Sequence, residues 1–206
     1  MPELKDQAEL DAYYMADPIH PRAAGVLWPL IVERRVDNLF DMALRPDAKV
    51  RNELFRPSGA LGNYGIKVQL AYLLGWMGGD IFKDLLTISK IRNRFAHNLE
   101  AKDFSDQKIA AWLNNLRGSA LVPEMLEHAR AEADNTDTMK TAKILILEGM
   151  VEIPQRRFRF CIDLVVHALD DYAKHMKRNL ENLPGSWLIG EEKPESFRTQ
   201  SSDEKS

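Results

Sequence analysis

Large apolar residues recur at three- and four-residue steps along most of this chain, and the alternation of Val, Ile and Thr that builds half-buried strands is scarce. That periodicity restricts the fold to packed helices. Val26, Leu27, Leu30, Ile31, Val36, Leu39, Phe40 and Leu44 fall on one face of a first long helix, which Pro46 is expected to end. The fold class that follows is all-α: a compact multi-helix bundle of about six to eight helices. At 206 residues the chain suits one domain, expected over residues 1–183. Residues 184–206 carry few apolar side chains and are expected to be a disordered tail.

Breakers divide the remaining periodicity. A short segment, Glu3 to Met15, precedes the proline-bearing "ADPIHP", and "DAKVRNELF" suits a short helix. The glycine-rich "RPSGALGNYG" reads as a loop. Beyond it, Ile66, Leu70, Leu73 and Leu74 predict a helix face, and "GWMGGD" interrupts it. Asp80 is the expected N-cap of the next helix, whose core face is Ile81, Leu85, Ile88, Ile91, Phe95 and Leu99. A helix capped by Ser105 or Asp106 should stop at Gly118. Further helices are expected over about Pro123 to Ala133, over Met139 to Met150, and from Pro154 in a first turn to about Asn179.

Composition excludes several functions. The formal net charge is −3 and the pI about 6.0, so there is no global basic excess of the kind a free-standing nucleic-acid binder usually shows. The single cysteine, Cys161, can form neither an intramolecular disulfide nor a structural zinc site, and its flanks mark it as a small core residue. The start lacks the basic and apolar regions of a signal peptide, and no apolar run approaches a membrane span. A cytoplasmic protein with no cofactor, no metal and no membrane association is expected.

The stretch "KIRNRFAHNLE", residues 90 to 100, carries the densest chemistry. At about 100° per residue, Asn93 and His97 share a face roughly opposite the core, and Arg92 borders the apolar side, about 140° from His97. A His can move a proton near neutral pH, and an Arg can grip a phosphate with two donors. Arg92, Asn93 and His97 also fit the Arg-polar-x-x-x-His pattern of the HEPN superfamily of helical ribonucleases. Under that alternative His97 is the general base, Arg92 holds phosphate and Asn93 orients both, across two protomers. The plainer reading is structural: Arg92 pairs with a carboxylate such as Asp84 or Glu53, and Asn93 and His97 bond carbonyls at the helix end. The structural reading is favoured.

The motif belongs to a longer block. Gly59, Leu61, Gly62, Lys67, Leu70, Tyr72, Gly75, Asp84, Leu85, Ile91, Arg92, Asn93, Phe95, Ala96 and His97 follow in order, with "FSDQKI" at residues 104 to 109. This block resembles the mannitol operon repressor (MtlR) family over about fifty residues. The Leu-Leu before Gly75 and the Gly-rich "GWMGG" depart from the family pattern. The resemblance implies an all-α, non-enzymatic transcriptional regulator of repressor type, without a recognisable DNA-binding motif, that works through protein partners. Gly59, Gly62, Tyr64, Lys67, Arg92, Asn93 and His97 would then order the loop or form a partner surface. Direct specific DNA binding is not expected. "AYLLGWMGGDIFKDLL" mimics a helix-turn-helix, but two of the side chains at the start of its second helix, Asp80 and Asp84, are acidic. RNA is a partner only under the ribonuclease alternative, and a homodimer is left open.

Two further features stand apart. "IPQRRFRF" interleaves Arg156, Arg157 and Arg159 with Phe158 and Phe160, a candidate nucleic-acid patch whose plainer reading is an amphipathic helix start. His167 and Asp171 lie four apart on the last helix, a spacing two metal ligands can use but which more often marks a solvated face.

Overall fold

The structure, a computed structural model, describes residues 19–44, 47–132 and 138–181. Eight helices account for most of them, and none of the described residues is in a strand. They are α1 (Pro21–Ala43), α2 (Ala48–Phe55), α3 (Tyr64–Leu73), α4 (Gly79–His97), α5 (Gln107–Asn114), α6 (Arg117–Ala131), α7 (Thr138–Glu152) and α8 (Pro154–Glu181). The all-α expectation holds. The Glu3–Met15 segment, Pro46 and the polar tail lie outside the described residues.

The bundle is organised around α1, which packs along α8 and α4. Trp28, Val32, Val36, Leu39 and Phe40 of α1 meet Ile81, Leu85, Ile88, Ile91 and Phe95 of α4, and Phe158, Ile162, Val165 and Leu169 of α8, in one core. The five α4 positions are those the periodicity selected. An aromatic run crosses this core: Phe95 to Phe104 at 4.9 Å, Phe104 to Phe158 at 5.1 Å and Phe158 to Trp28 at 6.2 Å between ring centroids. Gly25 makes room for it, since a Cβ there would lie 2.0 Å from Cδ2 of Phe95. Cys161 is a buried core residue, its thiol pushed up to about 11 by burial.

Several boundaries differ from the expectation, each for a physical reason. On α3 and its C-cap, Ile66, Leu73 and Leu74 are 47%, 79% and 50% exposed, whereas Lys67, Val68 and Ala71 are buried. The helix is apolar on most sides, so periodicity could not choose its inner stripe. Gly78, not Asp80, caps α4, and its N–H donates to the Tyr172 hydroxyl at 3.0 Å. Asp80 sits in the first turn. Leu99 is 83% exposed because α4 has ended two residues before it. Gly118 stops nothing: α5 ends at Asn114 and α6 has begun by Arg117, so Gly118 lies inside a helix. There it lets α6 approach α8, where a Cβ would fall 2.9 Å from the Cys161 sulfur. Asp106 is the cap of α5, accepting from the N–H groups of Lys108 and Ile109 at 3.1 Å each.

Candidate functional site

The motif helix α4 offers its polar residues in two directions. Arg92 is half-buried and turned toward α1 and α3, where it lines a cavity of about 10 Å³ with Pro29, Glu33, Tyr64, Ile88 and Ser89. Asn93 and His97 are exposed, one turn apart on the outer face, and neither side chain carries a hydrogen bond or ion pair among the described residues. The three motif residues therefore do not converge within one chain, in agreement with their angular separation.

Arg92 does not take the carboxylate partners the structural reading named. The Asp84 carboxylate accepts instead from the backbone N–H of Arg117 at 3.1 Å, at the start of α6. Burial is the main influence on that carboxyl and raises its pKa, with the Arg117 bond opposing. Nor do Asn93 and His97 tie down the end of α4. Arg22, from the first turn of α1, donates from Nη1 to the carbonyls of Asn98 at 3.1 Å, Leu99 at 3.4 Å and Ala101 at 3.5 Å. Arg94 forms a forked pair with Asp106, from Nη2 at 2.7 Å and Nε at 3.3 Å. That guanidinium beside it is the first cause holding the Asp106 carboxyl below the usual range.

Beside the motif helix lies an ion cluster of one buried lysine and two half-buried carboxylates. Glu33 and Asp37 are four apart on α1 and so share a face. Lys67 reaches toward them from α3, only 5% exposed, with Nζ 2.5 Å from Asp37 and 4.0 Å from Glu33. Its ammonium also sits 5.9 Å from the centroid of Phe55. Tyr64 opens α3 on the same side. Its hydroxyl and the Nε of Arg92 are both buried without a protein partner. Burial, then the negative charges of Glu33 and Asp37, raise the Tyr64 pKa, while Arg92 pulls it down. The cavity between them has about the volume of one water, with polar groups on several sides. Pro29 lines the cavity as well, and as a residue inside α1 it has no N–H to donate to the carbonyl one turn before it.

The loop before α3 is shaped by two glycines. Gly59 approaches the carbonyls of Glu53 and Leu54 so closely that a Cβ would lie 2.4 and 2.2 Å from their oxygens. At Gly62 it would lie 2.2 Å from the Arg56 oxygen. The turn thus folds onto the end of α2. Asn63 then caps α3 by accepting from the Ile66 N–H at 3.3 Å. Of the loop-ordering residues expected on the motif helix, only Arg92 reaches this region, at Tyr64.

The other candidates fall elsewhere. Arg156, Arg157 and Arg159 lie in the first turns of α8, with Phe158 fully buried against the core. His167 donates from Nδ1 to the Asp163 carbonyl at 2.7 Å, and Asp171 pairs with Lys174 at 3.0 Å. No group of three His, Cys, Asp or Glu among the described residues could hold a metal ion. Also among them, no helix is long and apolar enough to cross a membrane. Sequence reading missed Arg22, Glu33, Asp37 and Arg94 as structural residues. The i, i+4 spacing of Glu33 and Asp37 was the one signal available for any of them.

These features define a class: an all-helical protein built around one long helix, α1, with a charge-compensated cluster where α1, α3 and α4 meet. Within that class, the chain belongs to the mannitol repressor (MtlR) family, which matches residues 30–160, well over half of its length. The match extends from α1 into the start of α8, far beyond the block that carried the resemblance. Comparisons with curated proteins and with solved structures found no match.

Proposed function

We propose that this chain is a regulator of a mannitol operon, of repressor type, and that it acts through a protein partner rather than by reading DNA. The family match over residues 30–160 carries this reading. Three features support the protein-contact part. Ile66, Leu73 and Leu74 of α3 and its C-cap leave large apolar surface in water, a pattern that favours protein interfaces over phosphate backbones. Asn93 and His97 add an exposed polar face on the adjoining helix with no internal role among the described residues. The helix-turn-helix mimic has Asp84 buried and engaged by Arg117, and Asp80 exposed at its start, which is unfavourable beside phosphates.

The test is a reporter driven by the mannitol operon promoter in cells lacking this protein. Supplying the wild-type chain should lower expression in the absence of mannitol. Leu73→Glu with Leu74→Glu should fail to do so while keeping its level and its melting temperature, because both positions are exposed. A reporter indifferent to the wild-type protein refutes the regulator reading. Full repression by the double variant refutes the role of the α3 face.

A further inference from the structure

A groove of about 830 Å³ runs between the start of α1, the end of α7 and the first turns of α8. Its apolar side includes Ile19, Trp28, Met150 and Phe160, and its polar side Arg156 and Arg159. Asp163 lies at the same wall, its carboxyl pKa raised by burial and opposed by Arg159. The side chains of Arg156 and Arg159 form no hydrogen bond or ion pair among the described residues. Two arginines facing an apolar trough call for an occupant that is apolar and acidic together.

The geometry points to one. We propose that residues 9–17 of this same chain, Glu9 to Asp17, fill the groove. The first argument is connectivity. Gln155 of α8 donates from Nε2 to the Ile19 carbonyl at 3.0 Å, and Ile19 itself lines the groove, so the first described residue is fixed at its edge. At roughly 3.3–3.6 Å per extended residue, nine residues reach up to about 30 Å from that point, about as far as a helix of twenty residues is long. The second argument is chemistry. "ELDAYYMAD" sets Leu10, Tyr13, Tyr14 and Met15 among Glu9, Asp11 and Asp17. Over residues 1–18 there are five acidic side chains, Glu3, Asp6, Glu9, Asp11 and Asp17, against the single Lys5. Aromatic and thioether groups match the trough, and the carboxylates match Arg156 and Arg159. Seated there, the segment would occupy the basic and aromatic patch that otherwise resembles a nucleic-acid surface, with carboxylates where phosphates would lie.

The test uses the full chain with Tyr14 replaced by the photo-cross-linker p-benzoylphenylalanine, irradiated at low protein concentration and mapped by mass spectrometry. A link within one chain to residues 146–163 is expected. Arg156→Glu with Arg159→Glu should lower its yield at least about fivefold, in line with the loss and reversal of two partly exposed ion pairs. Adding Asp11→Lys and Asp17→Lys to that variant should restore the yield, a recovery that a misfolded groove could not give. Links that join two chains overturn the proposal in favour of a second copy as occupant. Links elsewhere in the chain, or a yield untouched by charge reversal, overturn it outright.

Discussion

Replacing Lys67 with Met should destabilise the protein more than any ordinary surface change, and the structure sets the size of the effect. The Lys67 ammonium is buried to 5% exposure, 2.5 Å from Asp37 and 4.0 Å from Glu33. Met retains most of the aliphatic stem, so little packing is lost. What remains is two carboxylates on one helix face without the cation between them, each side chain about a quarter exposed at 22% and 27%. Removing one partner of a buried pair costs about 3–5 kcal/mol. Partial access to water should reduce this to roughly 2–4 kcal/mol. At about 2–4 °C per kcal/mol for a chain of this size, the melting temperature should fall by roughly 4–16 °C at pH 7. Circular dichroism during heating, with urea unfolding as a second probe, measures it. Adding Asp37→Leu should return a large part of the loss, because an apolar pair of similar volume needs no compensation. A double-mutant cycle with these two changes should therefore show strong coupling. A loss below about 0.5 kcal/mol for Lys67→Met, the range of ordinary surface substitutions, would refute the reasoning that this ion pair is a buried structural element.

Other expectations follow from the same geometry. Asp106→Asn keeps a good helix cap but removes the charge paired with Arg94. The folded carboxyl lies below its unfolded value of about 3.9, so its contribution is present above that pH and lost as pH falls through the folded value. The gap in melting temperature between wild type and Asp106→Asn should thus be full at pH 5–7 and close below about pH 4. A gap of constant size down to pH 2.5 would show that the Arg94 pair is not its origin. Gly25→Ala should cost about 1–3 kcal/mol by overpacking against Phe95, measured by urea unfolding, and Phe95→Leu added to it should cost less than the two changes separately. Strict additivity would contradict the close approach. Incubated with total RNA in excess EDTA, the wild type should leave it intact. Cleavage to 2′,3′-cyclic-phosphate ends, absent in His97→Ala, would instead establish the ribonuclease alternative.

Apolar spacing by itself determined the helical class and the inner face of α4, the apolar flanks of Cys161 its core role, and the fit of proline in a first helical turn the start of α8 at Pro154. Each of these depends on neighbours one or two helical turns away, which a linear pattern records. It failed on α3, where apolar residues surround the axis and only the partner helices choose a stripe. There a lysine was drawn inside because Asp37, thirty residues away, neutralises it. It also misassigned the work at "KIRNRFAHNLE". The end of that helix is held by Arg22, 76 residues from Asn98, and by Arg94 with Asp106, while Arg92 turns inward and Asn93 and His97 are left exposed. Charge pairing and helix crossing act through space, so only the folded bundle could decide which arginine bonds, which is buried, and which polar residues remain in water.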